Sequence, residues 1–478
     1  MPPSSRYRAE TLHASLGDGF FDLAEPARFP AHILRYRNQR WAERVGLDTL
    51  TEPEWIGHFG RFEPLPGGFS KPLALRYHGH QFRTYNPDIG DGRGFLFAQL
   101  RDAGDGRLLD LGTKGSGRTP WSRQGDGKLT LKGGVREILA TEMLEALGVD
   151  TSKSFSLIET GEPLYRGDEP SPTRSSVLTR LSHSHIRIGT FQRLAHLDDQ
   201  AALGRLIDHC VAHYFPELAD EPADSRAGAF LERVTARVAR LGARYMAAGF
   251  VHGVLNSDNI NITGESFDYG PWRFAPRYDP QFTAAYFDDS GLYAFGRQVG
   301  ALGWNLTRLA ETILTHVGLQ RADQVLGGYQ SVIQREFQLA LLDRLGLLPA
   351  DDPAQDAALA KSLLEFLGKT QAAFEQTFFD WRGGLASRER AAASPQAPAY
   401  DAPEFAGLRD ALAAHETAPS ANLDHAYFRR AIPCTMLIEE VESIWAQIAE
   451  RDDWSALDDK IAQIASMREA YAPAPAGG

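Results

Sequence analysis

The sequence predicts an α+β fold of two unequal parts, a small strand-rich segment followed by a larger helical one. Three observations carry that expectation. Between residues 76 and 190, short apolar runs alternate with Gly and Asp turns: Gly94-Phe95-Leu96-Phe97-Ala98-Gln99-Leu100, then Gly104-Asp105-Gly106, then Leu108-Leu109-Asp110-Leu111. That is the pattern of a hairpin. From 191 to 345, apolar residues recur at helical spacing. Strands and helices are segregated along the chain, whereas a doubly wound dinucleotide fold alternates them throughout.

Four regions follow. Residues 1–75 join an amphipathic stretch, Ile33 to Val45, to Pro- and Gly-rich links such as Pro64-Leu65-Pro66-Gly67-Gly68; this reads as an N-terminal extension packed on the core. Residues 76–190 are expected to form the strand-rich lobe. A helix is expected there over Gly134 to Leu147, with Val135, Ile138, Leu139, Met143 and Leu147 on one face and Gly148 as its stop. Residues 191–345 form the helical lobe. Its clearest helix runs from Phe230 to Ala248, with Leu231, Val234, Val238, Leu241 and Tyr245 in register and Gly249 ending it. Residues 346–478 are helical again, broken by an Ala/Pro-rich link at 391–403. The tail from Ala472 to Gly478 is expected to be disordered. No internal repeat is visible.

Composition narrows the function. The 478 residues are 43% apolar and carry a net charge of −12, which argues against nucleic acid or an anionic membrane as partner. The two cysteines, Cys210 and Cys434, are too few for a disulfide framework; they read as packed thiols in a reducing compartment. The N-terminus has no apolar signal core, and no uncharged apolar run approaches the ~20 residues needed to cross a bilayer. The expectation is a soluble, cytoplasmic protein.

The most informative segment is 251–270. His252, Asn259 and Asp268-Tyr269-Gly270 resemble the protein-kinase catalytic loop, His-Arg-Asp with an Asn five residues after the Asp and a later Asp-Phe-Gly. Val254 stands where the catalytic Asp belongs. Asn259 and Asp268 are hard oxygen ligands suited to Mg²⁺ beside a nucleotide. Asp258 is the nearby carboxylate able to replace the missing base, or else caps the turn Asn256-Ser257-Asp258-Asn259. His252 reads as a structural hydrogen-bonder.

Cations and glycines lie upstream. Gly-Asp-Gly occurs at 17–19, 90–92, 104–106 and 125–127; alone it is a turn, but the copies at 90 and 125 flank positive charge. Glycine at Gly90 and Gly92 lets backbone amides approach a polyphosphate. Lys114-Gly115-Ser116-Gly117 lacks the Walker A order. Glu137, on the first turn of the next helix, stands where a kinase places the carboxylate that pairs with its strand lysine; otherwise Lys114 is a solvated strand end. Arg180 and Arg187 are suited to phosphate oxygens, or are surface arginines of a connector. His183 and His185 lack further ligands nearby and read as structural.

Together Tyr77-His78-Gly79-His80-Gln81-Phe82, Ile89 to Arg93, Lys114 to Arg123, Gly125-Asp126-Gly127, Ser184 to Phe191 and His252 to Asn259 resemble the selenoprotein O (YdiU) family, in consistent order from about residue 10 to 310. The resemblance implies a kinase-like two-lobe fold, a pseudokinase that binds ATP in reversed orientation and transfers AMP to Ser, Thr or Tyr hydroxyls of proteins. By matched position, Gly90, Gly92, Arg93, Lys114, Asp126, Gly127, Arg180 and Arg187 would bind nucleotide. Glu137 would pair with Lys114, Asp258 would accept the proton, and Asn259 with Asp268 would hold Mg²⁺, with Mn²⁺ as the alternative ion. Three positions depart from the family pattern: Arg83 replaces a usual Gly, Trp121 a usual Tyr, and Lys128 a usual Arg. Some members carry a Cys or selenocysteine near the C-terminus; this chain has no cysteine beyond Cys434, so redox control is not carried over. Two other functions compete, an ordinary protein kinase, opposed by Val254, and an inactive ATP-binding scaffold, opposed by the retained Asn259 and Asp268.

Overall fold

The computed structural model describes residues 4–167 and 169–472. The expected α+β class is what it shows. Among the described residues, a nine-stranded antiparallel sheet runs Phe21–Leu23, Leu73–Leu75, Leu96–Arg101, Leu108–Lys114, Thr173–Ser182, Lys153–Leu164, Ile33–Arg37, with Ala9–Glu10 and Leu129–Thr130 paired off this path. The segment 1–75 supplies four of these strands, two of them at the opposite ends of the path. The stretch Ile33 to Val45 is half strand and half helix: Ile33–Arg37 joins the sheet, and Asn38 caps the helix Gln39–Arg44 by accepting from Trp41 N.

The expected hairpin forms as Leu96–Arg101 and Leu108–Lys114. Gly106 turns it at φ +75°, where a side chain would be strained, and buried Asp102 ties the turn by accepting from Gly104 N. The helix after it spans Leu131–Ala146, one turn earlier than its apolar face suggested, because Thr130 caps it by accepting from Gly133 N. Gly134 is where this helix meets the sheet; a Cβ there would come within 2.3 Å of Leu157.

The long helix Arg226–Ala247 buries Leu231, Val234, Val238, Leu241 and Tyr245, and Gly249 at φ +64° ends it. Two short strands, Phe250–Val251 and Arg273–Phe274, then pair and pin both ends of the 252–272 segment. The link at 391–403 contains the short helical turns Ala397–Tyr400 and Pro403–Phe405, organised because Tyr400 and Ser394 both donate to buried Asp380. The last helices, Ile438–Arg451 and Ser455–Tyr471, return to the sheet side: Lys132 pairs with Glu442 at 2.7 Å, and Arg468 pairs with Glu142. Of the expected disordered tail, Ala472 to Gly478, residues 473–478 lie outside the described residues. No helix among those described is long and apolar enough to cross a membrane.

Candidate functional site

The register of the sheet delivers the first two cations. Leu178 pairs with Lys114 and Arg180 with Gly112, so Lys114 and Arg180 are diagonal neighbours on one face of the sheet. Gly112 is required opposite Arg180, since a Cβ there would meet the His185 ring at 2.3 Å. The helix Leu131–Ala146 lies over the same face and brings Glu137, whose Oε1 accepts from Lys114 Nζ at 2.5 Å. Both partners are buried, which excludes the solvated strand-end reading of Lys114. Asp268 comes from the 252–272 segment; its Oδ1 lies 2.9 Å from Lys114 Nζ and 3.2 Å from Arg180 Nη1. Burial alone would raise the Asp268 carboxyl, but Lys114, Arg180, Arg93 and Arg187 outweigh it and hold the group well below the usual carboxylate range. Asp268 sits at φ +67°, a conformation that Asp and Asn tolerate better than other side chains.

Arg187 is buried too, at 2% exposure, so neither arginine is a surface connector residue. Its guanidinium lies 4.1 Å from the Tyr77 ring centroid and 5.0 Å from that of Phe267, and 3.5 Å from Asp91 Oδ1. Asp91, inside the Gly90–Arg93 motif, also accepts from Leu75 N. Burial raises the Asp91 carboxyl, partly offset by Arg187.

Asp258 lies on the short turn Ser257–Asn259. It is 9% exposed and its Oδ1 is buried without a hydrogen-bond partner. Burial pushes its carboxyl up to about 6; Asp268 adds to the rise, while Arg187 and the Gln81 side chain oppose it. A carboxylate poised there suits proton transfer near neutral pH. The turn is held from outside by the hairpin Gly79–Gln81 and Thr84–Asn86: His80 N donates to Ser257 Oγ at 2.7 Å and Phe82 N to Asn256 Oδ1 at 2.9 Å. Gly79 is essential to this fit, since a Cβ there would lie 2.8 Å from Asp258 Oδ1. Asn259 donates through Nδ2 to Val254 O at 3.1 Å, which leaves its Oδ1 as the available ligand atom. His252 donates its backbone N–H to Gln298 and its ring Nε2 contacts Phe267 O, the structural role expected. His183 and His185 likewise contact Leu108 O and Asp110.

These residues surround one cavity of about 650 Å³, the size of a small-molecule site. Gly90, Gly92, Arg93, Lys114, Asp126, Gly127, Arg180, Arg187, Asp258 and Asp268 all line it; Glu137 reaches it only through Lys114, and Asn259 is not among the lining residues. Seven cationic and four acidic side chains face it, a positive balance in a chain of net charge −12. That balance fits a polyphosphate, and the orphaned Asp258 oxygen with the charged Asp268 fits a proton and a divalent cation.

Two glycines serve differently from expectation. A Cβ on Gly90 would lie 2.5 Å from the Trp121 ring, and one on Gly92 2.9 Å from Trp121 O, so these positions are kept bare by Trp121 as much as by a ligand. Trp121 is itself fixed through Nε1 to Asp22 Oδ2 at 2.9 Å. Arg83 holds φ +64°, which explains why glycine suits that position; here its guanidinium lies 5.6 Å from the Trp304 ring centroid. Sequence reasoning missed Arg166, which grips Asp126 through two bonds of 2.8 and 3.1 Å. No local signal marked it, because its partner lies 40 residues away. Gln81 and Asp91 were inside quoted motifs and could have been found there.

The family model of the protein adenylyltransferase SelO matches residues 4–465. The chain is 44% identical to the protein nucleotidyltransferase YdiU of Synechococcus elongatus over 94% of this chain and 93% of that one. It is 43% identical to the YdiU protein of Gloeobacter violaceus over 97% and 95% of the two chains, and 40% identical to that of Rhodopseudomonas palustris over 77% and 75%. The chain belongs to the SelO family. The SelO match extends well past residue 310, into the last helix that packs on the Glu137 helix, so the family assignment covers nearly the whole chain and the enzyme class, a nucleotidyltransferase, with it.

Proposed function

We infer that the chain is a Mg²⁺-dependent protein adenylyltransferase, which moves AMP from ATP to Ser, Thr or Tyr hydroxyls of other proteins. The observation that carries this reading is the pairing of a buried cation cluster with a separate, proton-poised carboxylate. The buried side chains of Lys114, Arg180 and Arg187 mark the deep end of the cavity, and the partly exposed pair Asp126 and Arg166 its outer rim. We read the deep end as the seat of the β- and γ-phosphates and the rim as that of the nucleoside, a reversed orientation for a kinase-like two-lobe fold. The Lys114–Glu137 pair and the Asp268 segment below the sheet support that fold comparison.

In this reading the acceptor hydroxyl oxygen bonds to the α-phosphorus as the bond to the β-phosphate oxygen breaks. Pyrophosphate leaves into the cation cluster, whose preorganised charge stabilises it. The hydroxyl proton passes to Asp258. Asn259 and Asp268 would hold Mg²⁺, or Mn²⁺ in its place, and the ion when bound neutralises phosphate charge. The partners are proteins carrying hydroxyls, with no role for nucleic acid or a membrane, and the compartment is the cytoplasm.

Incubation with ATP labelled at the α- or at the γ-phosphate tests this directly. Protein label from the α position alone is expected. Label from γ alone would make the chain a kinase, and label from neither an ATP-binding scaffold.

A further inference from the structure

The segment after Asp268-Tyr269-Gly270 presents two adjacent aromatic side chains to solvent. Tyr286 is 79% exposed and Phe287 47%, with ring centroids 5.1 Å apart. Neighbouring large aromatics held in water mark contact surfaces. The backbone beneath them is firmly tied. Buried Asp288 accepts from Leu292 N and Tyr293 N, both at 2.8 Å. Arg297 donates to the carbonyls of Ser290 and Gly291, and Phe295 N donates to Phe282 O. A turn stapled in this way keeps the rings outward.

The patch is continuous with the candidate site. The Phe287 ring lies 5.9 Å from that of Phe82, and Phe82 lies 5.1 Å from Tyr293. Phe82 N and the Tyr293 hydroxyl both donate to Asn256 Oδ1, two residues before Asp258. Gln81, next to Phe82, lines the same cavity as Asp258. On the other flank, Ala284 packs so closely against Gly253 that a Cβ on the glycine would lie 3.0 Å from it. The rings therefore stand at the rim of the turn that carries the proton acceptor, on a surface built without the cavity's cations.

We propose that Tyr286, Phe287 and Phe82 form a docking ledge for the acceptor protein and take an apolar side chain that flanks its target hydroxyl. The proposal rests on the proposed function, in which a protein hydroxyl is presented at the turn Ser257–Asn259. A polyphosphate gains nothing from aromatic rings, whereas an apolar side chain leaves water on them. A hydroxyl delivered to Asp258 brings its own flanking residues to this rim.

The test uses fluorescein-labelled synthetic peptides with one Ser each, flanked by Leu or Phe in one series and by Ser or Gln in the other. Anisotropy titrations compare the full chain with its Tyr286→Ser/Phe287→Ser variant. The wild type is expected to bind the apolar-flanked series about tenfold tighter, a difference of about 1.4 kcal/mol. The variant should bind both series alike while its ATP titration and melting temperature stay unchanged. If the variant fails to fold, Tyr286→Lys alone, at the more exposed ring, carries the same comparison. A variant that keeps the preference, or a wild type that has none, overturns the ledge. So does a wild-type dimer that the substitutions dissolve, because the rings would then serve contact between copies. Transfer from α-labelled ATP is followed in parallel. Its absence with the peptide preference intact sinks the adenylyl reading and leaves the ledge standing.

Discussion

Replacing Asp258 by Asn should slow transfer sharply and stabilise the fold, and the two effects together test the role assigned to this carboxyl. Its pKa is raised from 3.8 to about 6, chiefly by burial. The folded state therefore favours the protonated form, and keeping the group charged costs folding free energy. That cost is absent well below the unfolded pKa, grows as pH rises through the interval, and is complete above about pH 7, at roughly 3 kcal/mol from 1.36 kcal/mol per unit. About 1.4 kcal/mol of it accrues between pH 5 and pH 8. Asn keeps the shape without the charge, although its amide must find partners where Oδ1 now has none. Urea midpoints of both proteins at pH 5 and pH 8 measure the difference. The variant's advantage should grow by about 1–1.5 kcal/mol toward pH 8, while its rate falls by roughly two to four orders of magnitude. The wild-type rate should rise with unit slope through about pH 6. An advantage independent of pH, or a variant destabilised throughout, would refute the argument that burial loads this carboxyl for proton transfer.

Asp268→Asn keeps a side chain that tolerates φ +67° but removes the charge; transfer with Mg²⁺ should drop at least about a hundredfold, and full activity would take Asp268 out of the metal set. Lys114→Ala should lower the rate by roughly one to three orders of magnitude, read in the α-label assay; an unchanged rate would make the Lys114–Glu137 pair purely structural. Arg180→Ala should weaken ATP about ten- to hundredfold and AMP little, by calorimetry, since AMP lacks the phosphates the deep end would hold; equal weakening of both would dismantle that assignment. Arg166→Ala should act without that discrimination, weakening ATP and AMP alike by about tenfold, because it frees Asp126 at the nucleoside rim; a loss confined to ATP would reverse the orientation.

Local rules in the sequence determined much of this protein. The hairpin at 96–114, the helix ending at Gly148 and the helix ending at Gly249 follow from apolar periodicity and from glycine's access to positive φ, both properties of short stretches of chain. The order of His252, Asn259 and Asp268 along 252–270 was likewise legible, since spacing on a tight turn is local. Tertiary structure decided the rest. Ile33–Arg37 reads as half of an amphipathic stretch and becomes a sheet strand only because Lys153–Leu164 offers it an edge. Lys114 and Arg180 share a face through strand register, and Glu137 reaches them because a helix crosses that face; such pairings span dozens of residues and leave no periodic trace. A side chain on Gly90 or Gly92 would collide with Trp121, and Arg166 belongs to the site because the fold carries it to Asp126. The perturbed carboxyls are tertiary for the same reason. Burial and the company of distant cations set the charge of Asp258 and Asp268 in opposite directions, although both are aspartates ten residues apart.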